Sequence, residues 1–147
     1  GHCISVDTWF LVDAAPEMTT LIRMARQVNR AKPGYIVDRV EQLARQFSTP
    51  NIGCFGLAYK ADVDDLRESQ AVESVRGLTN RPEIGEVHIC DPYITAEEMC
   101  GLPLSSIDDV LRQCQVLVFL TAHRQFKAIP GKFLEERVVV DACGVFR

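Results

Sequence analysis

The sequence lacks any apolar run near the ~20 residues needed to cross a bilayer. It also lacks, at its start, the basic stretch and apolar core of a secretory leader. No broad basic patch is present: the formal net charge is −4, which argues against nucleic acid or an anionic membrane as partner. A small anionic ligand remains open, because a few local cations suffice for one phosphate pair. None of the six cysteines, at 3, 54, 90, 100, 114 and 143, forms a C-x-x-C pair. Several stand inside apolar runs, so reduced thiols in a cytoplasmic protein are expected rather than a disulfide framework. Internal repeats and low-complexity tracts are missing too.

What is there fits a soluble globular chain. Over 147 residues, 47% are hydrophobic and 24% charged. That length suits one domain with a short helical appendage, able to bury roughly two thirds of its unfolded surface. The chain starts without Met, on what reads as the middle of a loop. Residues 1–15 carry no clear helix start. Pro16 and Glu17 suit the first turn of a helix, whose apolar face is Leu21, Met24, Ala25 and Val28. The Pro33-Gly34 pair predicts a break or a kink, and Ile36, Val40, Leu43, Ala44 and Phe47 predict a second helix ending at 48–50.

From Asn51 onward strand and helix patterns alternate. Short apolar runs at 52–57, 87–90, 116–120 and 138–140 read as buried parallel strands. Helices are expected over 68–78, 106–114 and 130–136, the second with Ser105-Ser106 as N-cap and an acidic first turn. The pattern predicts an α/β fold: an N-terminal helical arm, then a Rossmann-like doubly wound parallel sheet. Ligands of such sheets bind beyond the carboxyl ends of the strands.

Three segments carry chemistry-bearing residues. Gly53-Cys54-Phe55-Gly56-Leu57-Ala58-Tyr59-Lys60 puts two glycines and a lysine at a strand end, but its G-x-x-G spacing departs from a dinucleotide fingerprint. A phosphate or sugar contact by Lys60 and a solvated loop lysine are both open on these residues alone. Asp62-Val63-Asp64-Asp65-Leu66-Arg67-Glu68-Ser69 offers acidic residues able to cap the next helix, and a guanidinium fork suited to phosphate. It lacks the ligand periodicity of a calcium loop, and no metal site is expected. In Gly1-His2-Cys3-Ile4-Ser5-Val6-Asp7, Cys3 is either a small buried hydrophobe or a nucleophile, with Asp7 placed to hold a water.

Taken in order, these segments resemble the UDP-glucose/GDP-mannose dehydrogenase family. The carrying residues are Gly1-His2-Cys3-Ile4-Ser5-Val6-Asp7-Thr8-Trp9-Phe10, Ala25-Arg26-Gln27-Val28-Asn29 and Phe55-Gly56-Leu57-Ala58-Tyr59-Lys60. Asp64-Asp65-Leu66-Arg67-Glu68-Ser69 and Val139-Val140-Asp141 complete the set. Within the family the cysteine segment is most similar to members acting on UDP-N-acetyl-D-mannosamine; UDP-glucose and GDP-mannose are the alternatives. Thr8 and Gln70 stand where the family commonly has proline.

The resemblance implies a fragment of an NAD-dependent oxidoreductase of polysaccharide biosynthesis, without its N-terminal NAD-binding domain and silent by itself. It implies the end of a catalytic cysteine loop at 1–15, part of a helical dimerisation region at 16–50, and a UDP-sugar-binding domain at 51–147. A homodimer through the N-terminal helices follows from it. So do the residue roles: Cys3 as the nucleophile that forms a thioester and Asp7 as the group activating water. Lys60 contacts substrate and stabilises oxyanion charge, Tyr59 contacts substrate, and Arg67 reaches the NAD pyrophosphate. Net chemistry is two hydride transfers that take a sugar C6 alcohol to a carboxylate.

Overall fold

Two helices precede the sheet, in a computed structural model that describes residues 3–95 and 97–146. The first, α1 (Cys3–Ala14), is helical where the sequence shows no clear helix start. It has no acidic residue in its first turn and no basic residue in its last, so local sequence gives it no end signals. Packing holds it instead: it lies against α2 (Thr20–Ala44), Val12 is buried, and the Arg30 guanidinium sits 4.6 Å from the centre of the Trp9 ring. Gly1 and His2, which open the cysteine segment, lie outside the described residues.

Helix α2 corrects two expectations. It starts at Thr20 rather than Pro16, because residues 15–18 close a turn through Met18 N–H on the Ala15 carbonyl at 3.1 Å. It also runs unbroken through Pro33. A proline inside a helix leaves the carbonyl four residues earlier without its donor. Here that carbonyl belongs to Asn29, and the Gln70 side-chain amide donates to it at 3.1 Å and also to the Asn29 side-chain oxygen. The departure from proline at position 70 therefore supplies the hydrogen bond that Pro33 removes.

The remaining elements are β1 (Ile52–Phe55), α3 (Gln70–Thr79), β2 (Val87–Cys90), β3 (Glu98–Met99), β4 (Leu102–Pro103), α4 (Ile107–Gln113), β5 (Val116–Phe119), α5 (Lys132–Glu135) and β6 (Val138–Asp141), with a 3-10 turn over Arg124–Ala128. The four longer strands form one parallel sheet in the order β2-β1-β5-β6, and β3 and β4 pair as a small antiparallel hairpin. The strands fall where alternation predicted them. The hairpin was not legible, since strands of two residues carry no periodicity. The last expected helix shrinks to α5, the chain before it being the 3-10 turn.

Every residue of β1 and β5 is buried, because helices cover both faces. On one side Val37, Val40, Val72, Val75 and Leu78 of α2 and α3 meet Ile52, Cys54, Val116 and Val118. On the other, Val110, Leu111 and Phe126 meet Phe55, Leu117 and Phe119, with the Phe55 and Phe119 rings stacked at 4.6 Å. Each fully buried side chain of this kind stabilises by about 1.5–3 kcal/mol. Strand order reverses at β1, which has β2 on one flank and β5 on the other. The crevice beyond the carboxyl ends of β1 and β5 is consequently the place where a ligand fits.

Candidate functional site

Gly53 and Gly56 are packing devices. A Cβ on Gly53 would lie 2.3 Å from a Val110 methyl of α4. Gly56 has φ +86, and its Cβ would meet Thr121 side chain and backbone at 2.6–2.9 Å. The first glycine lets α4 close on β1; the second lets the chain leaving β1 cross the chain leaving β5. Neither leaves room for a phosphate, so the G-x-x-G segment offers no dinucleotide cradle.

The loop after Gly56 is pinned at both ends. Leu57 and Ala58 donate their N–H groups to the Asp91 carboxylate, at 2.7 and 3.1 Å, and the Thr121 hydroxyl donates to the Ala58 carbonyl at 2.7 Å. Four residues on, the Asp62 N–H donates to His123 Nδ1 at 2.9 Å. Tyr59 and Lys60 stand between these anchors, Lys60 exposed at the tip. The Tyr59 N–H donates to the Asp65 carbonyl at 3.0 Å, which folds the acidic segment back under the lysine loop.

Asp91 and His123 were not anticipated from sequence. Both side chains are fully buried, with His123 Nε2 at 3.0 Å from Asp91 Oδ2. Nδ1 accepts the Asp62 N–H, so the ring proton resides on Nε2 and points at Asp91. Burial pushes the Asp91 carboxyl up. Hydrogen bonds from His123, Leu57 and Tyr93 outweigh it and hold the group below its ordinary value. Asp62, at φ +60, accepts from the Tyr93 hydroxyl and the Arg124 N–H, each at 3.0 Å. The Arg124 amide above all, against some desolvation and helped by Tyr93 and the Arg124 guanidinium, keeps its carboxyl low. The available signal was positional: Asp91 directly follows β2 and His123 closely follows β5, at the edge where ligands of such sheets bind.

The acidic segment does not cap α3 as expected. Ser69 does, accepting from the Val72 N–H while its hydroxyl donates to the Leu57 carbonyl at 2.5 Å. Asp65 instead holds Arg67, taking Nε at 3.0 Å and Nη2 at 2.6 Å in a forked pair. Hydrogen bonds and charge from Asp65 strengthen the hold of Arg67 on its proton, against slight burial. Smaller contributions come from Tyr59 and Cys3. Cys3 and Tyr59, from two other sequence segments, thus each lie within electrostatic reach of Arg67. Cys3 and Asp7 are four residues apart on α1, so they share a helix face. A cleft of about 650 Å³ lined by Val6, Trp9, Arg23, Arg30 and Glu68 adjoins this helix.

None of the six cysteines is in a disulfide, but they are not equivalent. Burial pushes Cys90 and Cys114 up to about 12 and Cys54 higher. Burial and the Asp141 charge take Cys143 up to about 11, and Cys100 is raised mainly by burial. Of the six, Cys3 is the exposed one. Titration with a disulfide reagent near neutral pH is expected to show one fast thiol, lost in Cys3→Ser. Several fast thiols in the folded protein would contradict this.

The UDP binding domain of the UDP-glucose/GDP-mannose dehydrogenase family matches residues 53–147. The chain is 45% identical to an NDP-N-acetyl-D-galactosaminuronic acid dehydrogenase from Ralstonia solanacearum, over 99% of this chain and 35% of that protein. To the UDP-N-acetyl-D-mannosamine dehydrogenase of Escherichia coli K12 it is 40% identical, over 100% of this chain and 37% of that one. Among solved structures it superposes on the UDP-N-acetyl-mannosamine dehydrogenase Cap5O from S. aureus with a TM-score of 0.81 at 31% identity, covering 99% of this chain and 34% of the other. The chain thus spans about a third of the length of its relatives (35–37%). With matching motifs in matching order on a matching fold, the chain belongs to the UDP-glucose/GDP-mannose dehydrogenase family.

Proposed function

We propose that the chain is the nucleotide-sugar-binding part of an NAD-dependent 6-dehydrogenase that takes UDP-N-acetyl-D-mannosamine to its uronate through a thioester on Cys3. The observation that carries this reading is the lysine loop pinned at the carboxyl edge of the sheet, with Arg67 within electrostatic reach of both Cys3 and Tyr59. On this reading residues 51–147 bind the nucleotide sugar, 1–15 bring the nucleophile and 16–50 belong to a dimerisation region. The exposed apolar side chains Phe10, Leu11, Leu21, Met24 and Val28 of α1 and α2 support a homodimer through these helices. No helix among the described residues is long and apolar enough to cross a membrane, and the unbridged thiols suit a cytoplasmic setting.

Each residue has a defined task. The Cys3 thiolate attacks the C6 aldehyde carbon, forming a C–S bond, while the Lys60 ammonium stabilises charge on the aldehyde oxygen. Once that carbon is at the acyl level, water bound by Asp7 attacks it, Asp7 takes the water proton, and Cys3 leaves as thiolate. Tyr59 flanks the sugar. NAD⁺ when bound supplies the hydride acceptor. Of this chain's residues Arg67 fits its pyrophosphate, being exposed and held in orientation by Asp65.

The test is ligand-dependent thermal stability of the chain with UDP-sugars. Saturation to about one hundred times the dissociation constant adds about 2.7 kcal/mol, and Lys60→Ala is expected to cut affinity about tenfold. UDP-glucose or GDP-mannose stabilising the chain more than UDP-N-acetyl-D-mannosamine would reassign the substrate. The absence of stabilisation by any of them would remove the nucleotide-sugar reading.

A further inference from the structure

The lysine loop is built around a residue that its own chemistry does not require. His123 is fully buried and never reaches the surface where a sugar would lie. Its two ring nitrogens nevertheless touch the two ends of one short segment. Nε2 meets Asp91, the carboxylate that takes the Leu57 and Ala58 amides, and Nδ1 takes the Asp62 amide. Lys60 lies between those ends. Asp62 is held at φ +60, a left-handed conformation that residues other than glycine adopt only at a cost. Without its anchors it would relax and carry Lys60 with it.

We propose that His123 is a positioning residue for Lys60: its imidazole, neutral and locked as the Nε2–H tautomer, joins Asp91 at the end of β2 to the Asp62 amide and so sets where the lysine points. The consequence for ligand rests on the reading of Lys60 as a nucleotide-sugar contact; the lock itself does not.

Two variants divide the imidazole. His123→Gln keeps a donor where Nε2 meets Asp91 and removes the acceptor facing Asp62. His123→Asn keeps an acceptor near the Nδ1 position and gives up the bond to Asp91. Amide hydrogen exchange and UDP binding are measured on the 147-residue chain. In His123→Gln the Asp62 amide is expected to exchange about tenfold faster while the β1 amides, reporting global stability, stay protected. UDP affinity is expected to fall as far as in Lys60→Ala, with no further loss in the double variant. His123→Asn, which keeps the Asp62 acceptor but loses the Asp91 bond, is expected to fall between wild type and His123→Gln in both readouts. Tyr93→Phe, which removes a bond to the Asp62 carboxylate but leaves the buried pair intact, gives a milder loss of UDP affinity that vanishes in the Lys60→Ala background. Unchanged Asp62 exchange in His123→Gln, additive losses with Lys60→Ala, or an Asn variant as impaired as the Gln variant would each overturn the proposal. A wild-type chain that binds no UDP defeats the nucleotide-sugar reading instead, and the exchange data still decide the lock.

Discussion

If the proposed function holds, Cys3→Ala in the full-length protein is expected to lower carboxylate formation by about a thousandfold or more while leaving nucleotide-sugar affinity within about twofold. The argument is one of irreplaceability. Aldehyde oxidation to an acyl level needs an adduct, and a thiolate gives one that oxidises to a thioester which water then opens. The other thiols cannot substitute: Cys54, Cys90 and Cys114 are buried in the core, and Cys100 and Cys143 are raised by burial. Serine at position 3 keeps a nucleophile of far higher pKa and is expected to be almost as impaired. Affinity survives because the pinned loop that carries Tyr59 and Lys60 is untouched. A Cys3→Ala enzyme that turns over normally would end the thioester route. The chain by itself is expected to produce no NADH, since its glycines form no dinucleotide cradle.

The contrast between what sequence revealed and what it hid reflects the range of the forces involved. Parallel strands announce themselves through local apolar runs, and all four were legible. Helix α1 was not, because its stability comes from contacts with α2 such as Arg30 on Trp9, about 70 Å of fully extended chain away. Pro33 signalled a break that Gln70 cancels from another helix, and no window around residue 33 contains that information. The site shows the same division. Lys60, Arg67 and Cys3 were singled out as candidates through segments with a recognisable order. Asp91 and His123 each look ordinary in their own surroundings, and only the sheet, by placing the end of β2 near the end of β5 across β1, makes them a pair.

That pair is also where the fold is most exposed to a single substitution. Asp91→Ala is expected to cost about 4 kcal/mol or more, because it strands donors from Leu57, Ala58, Tyr93 and His123 at once. Against a total stability of roughly 5–15 kcal/mol this brings the chain close to unfolding. Asp91→Asn keeps the shape but loses the charge, and is expected to cost about 2 kcal/mol in urea unfolding near neutral pH. Asp91 has a folded-state pKa below its unfolded value of about 3.9, so its stabilising contribution is complete above roughly pH 5 and drains away as pH falls through about 4 toward the folded value. Asp62, Asp109 and Asp141 are depressed as well, so the wild type loses stability steeply in the same window. The carboxamide introduced by Asp91→Asn does not titrate and cannot take part in that loss. The difference in stability between wild type and Asp91→Asn is therefore expected to narrow as unfolding is measured from about pH 7 down to about pH 3. A gap that stays constant across that range would mean the carboxylate charge contributes nothing, and that shape alone holds the lysine loop to the sheet.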